Sequence, residues 1–209
     1  MIQAVSRRSM LGSAVALAVA SCAKGMRETN DRGTETVLMT TSLGTIVVTV
    51  DVRRAPVSAG NFLEYVDRRL FDDGQFYRSV HPENDANPAK ISVVQGGIVG
   101  SGKQLAPISH ESTRQTGLRH LDGAISIARR EPGTGTAGAF FICIGDQPQL
   151  DFGGKRNPDG QGFAAFGGVI RGMDVIRTIW RQPTAGTDGS VRAQMIVSPV
   201  KIQSVIRKR

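Results

Sequence analysis

Residues 45–52 constrain the fold of this chain more than any other stretch. Every even-numbered position in this run is apolar, whereas the odd-numbered positions include two threonines and an aspartate. Because successive side chains of a β-strand point to opposite faces, the pattern predicts a strand with one buried and one largely solvated face. A second β-branched run at 37–41 precedes it across Ser42-Leu43-Gly44, so the two runs predict an antiparallel hairpin.

Further short apolar runs follow along the chain at residues 91–97, 124–129, 140–145, 163–170 and 195–205. Polar stretches rich in glycine separate several of them, and the 209 residues include 25 glycines. Short strands joined by such turns favour an all-β domain over a helical one. The length corresponds to one domain with appendages. Pro199, in the last run, marks a break or an edge position because proline has no N–H to donate to a neighbouring strand.

Two segments show helical spacing instead. Pro56 opens the first, because its missing N–H costs nothing in the first turn of a helix, and Asp72-Asp73-Gly74 ends it. Its apolar stripe comprises Val57, Phe62, Val66 and Leu70. The second helix covers residues 172–180, where Met173, Ile176 and Trp180 share a face.

The N-terminal residues have the features of an export signal followed by a tether. Arg7 and Arg8 precede an apolar run at 10–20, which is shorter than a membrane span of roughly 20 residues. Residues 6–11 are similar to a twin-arginine export motif, and Val19-Ala20-Ser21-Cys22 is similar to a bacterial lipobox. We therefore expect residues 1–22 to be a signal peptide with Cys22 lipidated, and residues 23–35 to be a polar tether. The alternative is a plain signal peptide cut near Ala20. Either way the protein is expected on the periplasmic or envelope side of a bacterial membrane.

The charge and ligand patterns argue against several other functions. The formal net charge of +8 is scattered along the chain, which predicts a solvated basic surface or, alternatively, attraction to anionic lipid headgroups. No platform of aromatic and basic residues is evident, so no nucleic-acid binding is expected. His110-Glu111 suggests metal chemistry, but no further ligand lies at helical spacing, so a surface histidine is the better interpretation. Cys143 lies in an apolar run and is expected to be a core residue without a disulfide.

The segment 76–97 carries the functional signal. It begins Phe76-Tyr77-Arg78 and closes with Gln95-Gly96-Gly97. An arginine beside aromatic residues, with a glutamine on a neighbouring strand, can present hydrogen-bond donors to a peptide carbonyl. This block resembles the Phe-His-Arg to Gln-Gly-Gly segment of the cyclophilins, which are peptidyl-prolyl cis-trans isomerases. The Ala-Pro opening of the first helix, the strand–loop–strand at 124–145 and the Gly172-Met173-Asp174 segment resemble the same family, in the same order. The resemblance extends from residue 36 to about residue 205, and we expect the domain to span residues 36–207.

The resemblance implies a closed eight-stranded antiparallel β-barrel capped by two α-helices, with peptide bound in a groove on its outside. It implies that Arg78 is catalytic. It implies substrate-binding roles for Phe76, Gln95, Ala128, Phe141, Leu150 and Phe163. It implies no metal and no cofactor. We expect proline-containing polypeptides as substrates, a monomer, and a role in the folding of exported proteins.

Several positions depart from the family's pattern. The pocket phenylalanine three residues before the glutamine is Ser92 here, and Ile91 can substitute for it only if the preceding insert shifts the strand. The family's asparagine, second glutamine, tryptophan and histidine correspond to Arg129, Ala139, Gln149 and Phe163. The loops at 81–90 and 153–162 are longer than usual. These departures predict a weaker or narrower isomerase. The alternatives are a non-catalytic proline-peptide-binding or chaperone module, and a scaffold anchored through Cys22.

Overall fold

The computed structural model describes Met1, residues 33–185 and residues 191–208. The predicted signal peptide, with Cys22, and most of the predicted tether lie outside these residues. The strands are β1 Thr34–Thr41, β2 Gly44–Asp51, β3 Gln75–Val80, β4 Val93–Gly97, β5 Ala124–Ile127, β6 Ala139–Cys143, β7 Ala164–Arg171 and β8 Met195–Arg207. They close into one antiparallel barrel in the order β1-β2-β7-β5-β6-β4-β3-β8. The predicted eight-stranded barrel is confirmed, and β1 begins two residues before the predicted start of the domain at residue 36.

The hairpin of β1 and β2 has the alternation that the sequence predicts. Ile46, Val48 and Val50 are fully buried inside the barrel. The turn is closed by Thr41, whose hydroxyl donates to Gly44 O at 2.8 Å and accepts from Leu43 N–H at 3.1 Å.

The helices are α1 Pro56–Asp67, α2 Thr113–Thr116 and α3 Met173–Trp180. Helix α1 ends before the predicted Asp72-Asp73-Gly74, because Arg69 adopts a left-handed backbone conformation with φ of 57°. Val57 was wrongly assigned to the buried stripe, since it is 40% exposed. Glu111 caps α1 from outside by accepting Val57 N–H at 3.1 Å and Ser58 N–H at 2.6 Å. Of the His110-Glu111 pair, Glu111 therefore acts in helix capping, whereas His110 Nε2 lies 3.1 Å from Gln161 O. Within the described part of the chain, no helix is long and apolar enough to cross a membrane.

The apolar side chains form two clusters on opposite sides of the barrel wall. The larger fills the interior, and the smaller lies outside and comprises Val80, Ile91, Val93, Ala124, Phe141, Cys143 and Leu150. Neighbours in β6 are divided between them, because Phe140 points into the barrel and Phe141 points out. The outer cluster is the foundation of the site described below.

A bulge in β3 determines which of its side chains face outward. Phe76 pairs with Gly96 and Arg78 pairs with Gln95, so two residues of β3 are matched by one step along β4 and Tyr77 is the extra residue. Without the bulge, Phe76 and Arg78 would share a face. With it, Phe76 is fully buried and meets Phe140 edge-on at 5.7 Å inside the barrel. The prediction that Phe76 binds substrate is therefore wrong.

Strand β8 carries a larger irregularity opposite the same bulge. Phe76 pairs with Val200, yet Arg78 pairs with Met195, so residues 196–199 leave the ladder. Pro199 lies in this interruption, as expected of a residue that cannot donate to a ladder. The detour brings the residue before β8, Gln194, against Arg78.

Candidate active site

A groove of about 720 Å³ runs along the outside of the barrel. It contains six of the seven residues that the sequence assigned to catalysis or substrate binding within the described chain: Arg78, Gln95, Ala128, Phe141, Leu150 and Phe163. The seventh, Phe76, lies behind the barrel wall. The groove is apolar at one end and carries the Arg78 guanidinium beside this apolar pocket.

The apolar pocket is built on Phe141. Its ring meets the Phe163 ring edge-on, with centroids 5.2 Å apart. Leu150, at the end of a short 3-10 turn, adds an aliphatic wall, and its carbonyl accepts the Phe163 N–H at 2.9 Å. Two rings and an aliphatic side chain form a surface suited to an apolar ring such as that of proline.

The position of the missing pocket phenylalanine is filled by the residues on either side of it. Ile91 and Val93 both line the groove, and Ile91 is only 7% exposed. Ser92, between them, does not line the groove. Its N–H donates to Gln147 Oε1 at 3.1 Å and its carbonyl accepts Ile144 N–H at 2.9 Å. The apolar area that Ser92 lacks is therefore supplied in part by Ile91.

Arg78 is held by two neutral amides. Its Nη1 donates to Gln95 Oε1 at 2.8 Å, and its Nε and Nη2 both donate to Gln194 Oε1, at 2.9 and 2.5 Å. Gln95 is oriented in turn by Tyr77, whose hydroxyl accepts from Gln95 Nε2 at 2.9 Å. Burial lowers the pKa of Arg78, and the positive charge of Arg156 lowers it further. The guanidinium is thus a charged donor in a poorly solvated position, and among the described residues its hydrogen-bond partners are amides and not carboxylates.

His120, which the sequence did not single out, supports the pocket from below. Its ring stacks on Phe141 with centroids 5.8 Å apart. Its Nδ1 lies 2.8 Å from Asp151 Oδ1 and its Nε2 lies 3.0 Å from Ser126 Oγ. Burial alone would raise the pKa of Asp151, but hydrogen bonds from the His120 ring and backbone N–H outweigh burial and lower it. Serine, histidine and aspartate are the residue types of a hydrolytic triad, yet Ser126 and His120 are buried, so no substrate reaches them.

The two long loops are tied to the groove by ion pairs. Arg156, from the second loop, lines the groove and donates to Asp85, in the first loop, at 2.5 Å. Arg129 forms a pair with Asp159 at 2.8 Å and donates to Gly162 O. The Arg129 guanidinium lies over the Phe163 ring, 5.3 Å from its centroid. Arg129, which replaces the family's asparagine, thus holds a wall of the pocket.

Gln194, Arg156 and His120 were all missed from the sequence. His120 precedes a predicted turn and Arg156 lies in a predicted loop, and polar residues are common in such segments, so neither indicates a function. Gln194 is 116 positions from the residue it contacts. Their roles follow from long-range register, which no local pattern reports.

The described residues contain no group of three or more histidine, cysteine, aspartate or glutamate side chains that could hold a metal ion. Cys143 is fully buried on β6, and burial followed by the nearby carboxylates raises the pKa of its thiol. It is a core residue, as predicted.

Comparison with known proteins gives a consistent result. The family model described as cyclophilin type peptidyl-prolyl cis-trans isomerase/CLD matches residues 36–206. The chain is 35% identical over 142 residues to peptidyl-prolyl cis-trans isomerase A of Dickeya dadantii, covering 66% of this chain and 67% of that protein. It is 33% identical over 173 residues to peptidyl-prolyl cis-trans isomerase cyp18 of Streptomyces antibioticus, covering 81% and 96%. Its fold is similar to a cyclophilin type peptidyl-prolyl cis-trans isomerase of Cryptosporidium parvum, with a TM-score of 0.65 and 18% identity over 84% of this chain and 98% of that one. That protein has also been solved in the presence of the dipeptide Ala-Pro.

Proposed function

The chain belongs to the family of cyclophilin-type peptidyl-prolyl cis-trans isomerases, and we propose that Arg78 and the pocket around Phe141 carry out its reaction. The reaction is rotation about X–Pro peptide bonds. The observation that supports the assignment is the meeting, in one groove, of a charged donor and an apolar pocket. The proline ring lies against Phe141, Leu150 and Phe163 while the acyl side of the bond turns.

The groove accelerates rotation by binding the twisted amide better than the planar one. The barrier of about 18–20 kcal/mol arises from the partial double bond between carbon and nitrogen. When the bond twists, the nitrogen loses conjugation and becomes a better hydrogen-bond acceptor. Arg78 has five N–H donors, of which Gln95 and Gln194 take three, so two N–H groups are left for the substrate. Donation to the twisted nitrogen or to an adjacent carbonyl is stronger in the transition state than in the ground state, which is the condition for catalysis.

Isomerisation of a proline peptide in a protease-coupled assay tests the role of Arg78. Hydrogen bonds from charged groups contribute about 1.5–3 kcal/mol, so Arg78→Ala is expected to lower kcat/KM by roughly 10- to 150-fold. Arg68→Ala is the matched control, since Arg68 is an exposed arginine of α1 that pairs with Glu64 and does not line the groove. Equal rates for wild type and Arg78→Ala would contradict the catalytic role. Peptide binding without any acceleration would instead support the non-catalytic binding module.

We also propose that the enzyme acts on exported proteins as a lipoprotein monomer. The support is the twin-arginine and lipobox pattern of residues 6–22, together with the slowness of uncatalysed proline isomerisation, which takes about 10–100 s. Mass spectrometry of the mature N-terminus is expected to find lipid on Cys22 and none in a Cys22→Ser variant. An unmodified N-terminus at Ser21 or Cys22 would support the plain signal peptide instead. Light scattering of the detergent-free Cys22→Ser variant measures the oligomeric state.

A further inference from the structure

Gln194 is a buried residue whose side chain is committed to Arg78. It is 3% exposed and lies at the end of the short 3-10 helix Arg192–Gln194, directly before β8. Its Oε1 accepts from both Nε and Nη2 of Arg78, whereas Gln95 accepts from Nη1. Two amide oxygens that accept from different N–H groups restrict both the position and the rotation of the guanidinium plane.

The orientation of the Gln194 amide is fixed by the long loop at residues 81–90. Its Nε2 donates to the backbone carbonyl of Asn84 at 2.9 Å. A flipped amide would place NH2 against the N–H groups of Arg78 and oxygen against the Asn84 carbonyl, so both contacts would become repulsive. The turn that presents this carbonyl is itself held, because the Asn84 side chain accepts His81 N–H at 2.8 Å and donates to Ser79 O at 3.2 Å.

The neutrality of the amide is as important as its geometry. A carboxylate at this place would hold the guanidinium equally well but would offset its charge at short range. Gln95 is also neutral, so the two side chains that fix Arg78 leave its charge intact. A charge that is poorly solvated and fixed before substrate arrives stabilises developing polarity without reorganisation, which is the main source of electrostatic catalysis.

We propose that Gln194 is a positioning residue for the isomerase reaction, which fixes the Arg78 guanidinium without neutralising it and is oriented by the carbonyl of Asn84. The loop at 81–90 is then a part of the catalytic apparatus and not an addition beside the groove. The proposal rests on the catalytic role proposed for Arg78.

Two substitutions separate geometry from charge. Gln194→Met keeps the length of the side chain and removes its hydrogen bonds, so kcat is expected to fall roughly tenfold with KM within about twofold. Gln194→Glu keeps an acceptor for Arg78, adds a negative charge and places its second oxygen against the Asn84 carbonyl, so kcat is also expected to fall. The NMR signal of the Arg78 Nε–H reports the difference: it is protected from exchange in wild type and in Gln194→Glu, and exchanges rapidly in Gln194→Met. Gln182→Met is the control, because the Gln182 side chain bonds only to Thr178 O within α3 among the described contacts.

The decisive measurement is a double-mutant cycle with Arg78→Ala. If Gln194 acts through Arg78, Gln194→Met has no further effect on kcat in the Arg78→Ala background. Additive losses would overturn the proposal, as would an unchanged kcat in Gln194→Met. An unchanged kcat in Gln194→Glu would overturn the requirement for neutrality. Failure of the underlying assignment is distinguishable, since Arg78→Ala alone would then be as fast as wild type.

Discussion

Replacement of Asp85 by alanine tests whether the two long loops and the groove form one structure. The Asp85 side chain is only 2% exposed and its Oδ2 accepts from Arg156 Nη1 at 2.5 Å. The same carboxylate accepts Ile91 N–H at 3.3 Å and Asn87 N–H at 3.1 Å. Asp85→Ala removes the partner of a guanidinium that is itself only 12% exposed, and it leaves two backbone donors without their acceptor.

The expected loss of stability is large. Removal of one member of a buried ion pair costs about 3–5 kcal/mol, because the remaining charge stays buried without compensation. In a domain of this length each kcal/mol lowers the melting temperature by about 2–4 °C, so Asp85→Ala is expected to melt roughly 6–20 °C below wild type. Ile91 and Arg156 both line the groove, so KM rises. The value of kcat changes less, because Arg78 keeps its bonds to Gln95 and Gln194.

Thermal unfolding and the protease-coupled assay measure both effects. Glu64→Ala is the control, since the ion pair of Glu64 with Arg68 is about half exposed on both sides and such pairs contribute about 0–1 kcal/mol. The double variant Asp85→Ala/Arg156→Met is expected to regain part of the lost stability, because no unpaired buried charge is left. A shift no larger than that of Glu64→Ala would refute the reasoning. The reasoning would also be refuted if the double variant were less stable than Asp85→Ala by the full loss that Arg156→Met causes alone.

Three further predictions concern the walls and supports of the pocket. Ser92→Phe is expected to give no gain in kcat/KM, because residue 92 does not line the groove. Ile91 does line it, so Ile91→Ala is expected to lower kcat/KM for the same peptide by about tenfold. Asp151 has a folded-state pKa below its ordinary value of 3.8, so it stabilises the fold above that pH and the stabilisation is lost as pH falls through the folded value. The free energy of unfolding of Asp151→Asn is therefore expected to be lower than that of wild type at pH 7 and to change less with pH below about pH 4. A pH dependence parallel to that of wild type would contradict the role of the His120 bond. Cys143 has a raised pKa and no exposure, so thiol reagents followed by peptide mapping are expected to label it only after unfolding.

The parts of the fold that the sequence predicts are those with local causes. The hairpin of β1 and β2, the start of α1 at Pro56 and helix α3 each follow from periodicity or from a residue with fixed backbone preferences. The predicted end of α1 is wrong because Arg69 adopts a left-handed backbone conformation, which the presence of an arginine does not predict. The closed barrel came from the ordered resemblance, since strand order is a long-range property that periodicity does not determine.

The residues of the candidate site that one motif contains could likewise be predicted, whereas those that long-range pairing brings in could not. Arg78 and Gln95 are 17 positions apart and meet through the β3–β4 register, so a family motif that contains both residues is enough to place them together. The prediction for Phe76 is wrong because the bulge at Tyr77 places Phe76 and Arg78 on opposite faces of β3. A one-residue bulge cannot be recognised from composition or periodicity. Gln194 could not be found because the interruption of β8 that delivers it depends on the pairing of β3, not on its own neighbours.

Two of the departures from the family pattern, Arg129 and Phe163, contact each other, which changes what each of them implies. Arg129 in place of asparagine looked like the loss of a peptide contact, yet its guanidinium lies over Phe163 and is held by Asp159 from the long second loop. Phe163 in place of histidine is therefore the partner of Arg129, and the loop is the partner of both. Arg129→Asn alone would restore the family's asparagine but would remove the guanidinium that lies over Phe163. Arg129, Phe163 and Asp159 therefore form one interacting set, and we expect the effect of substituting any one of them to depend on the other two.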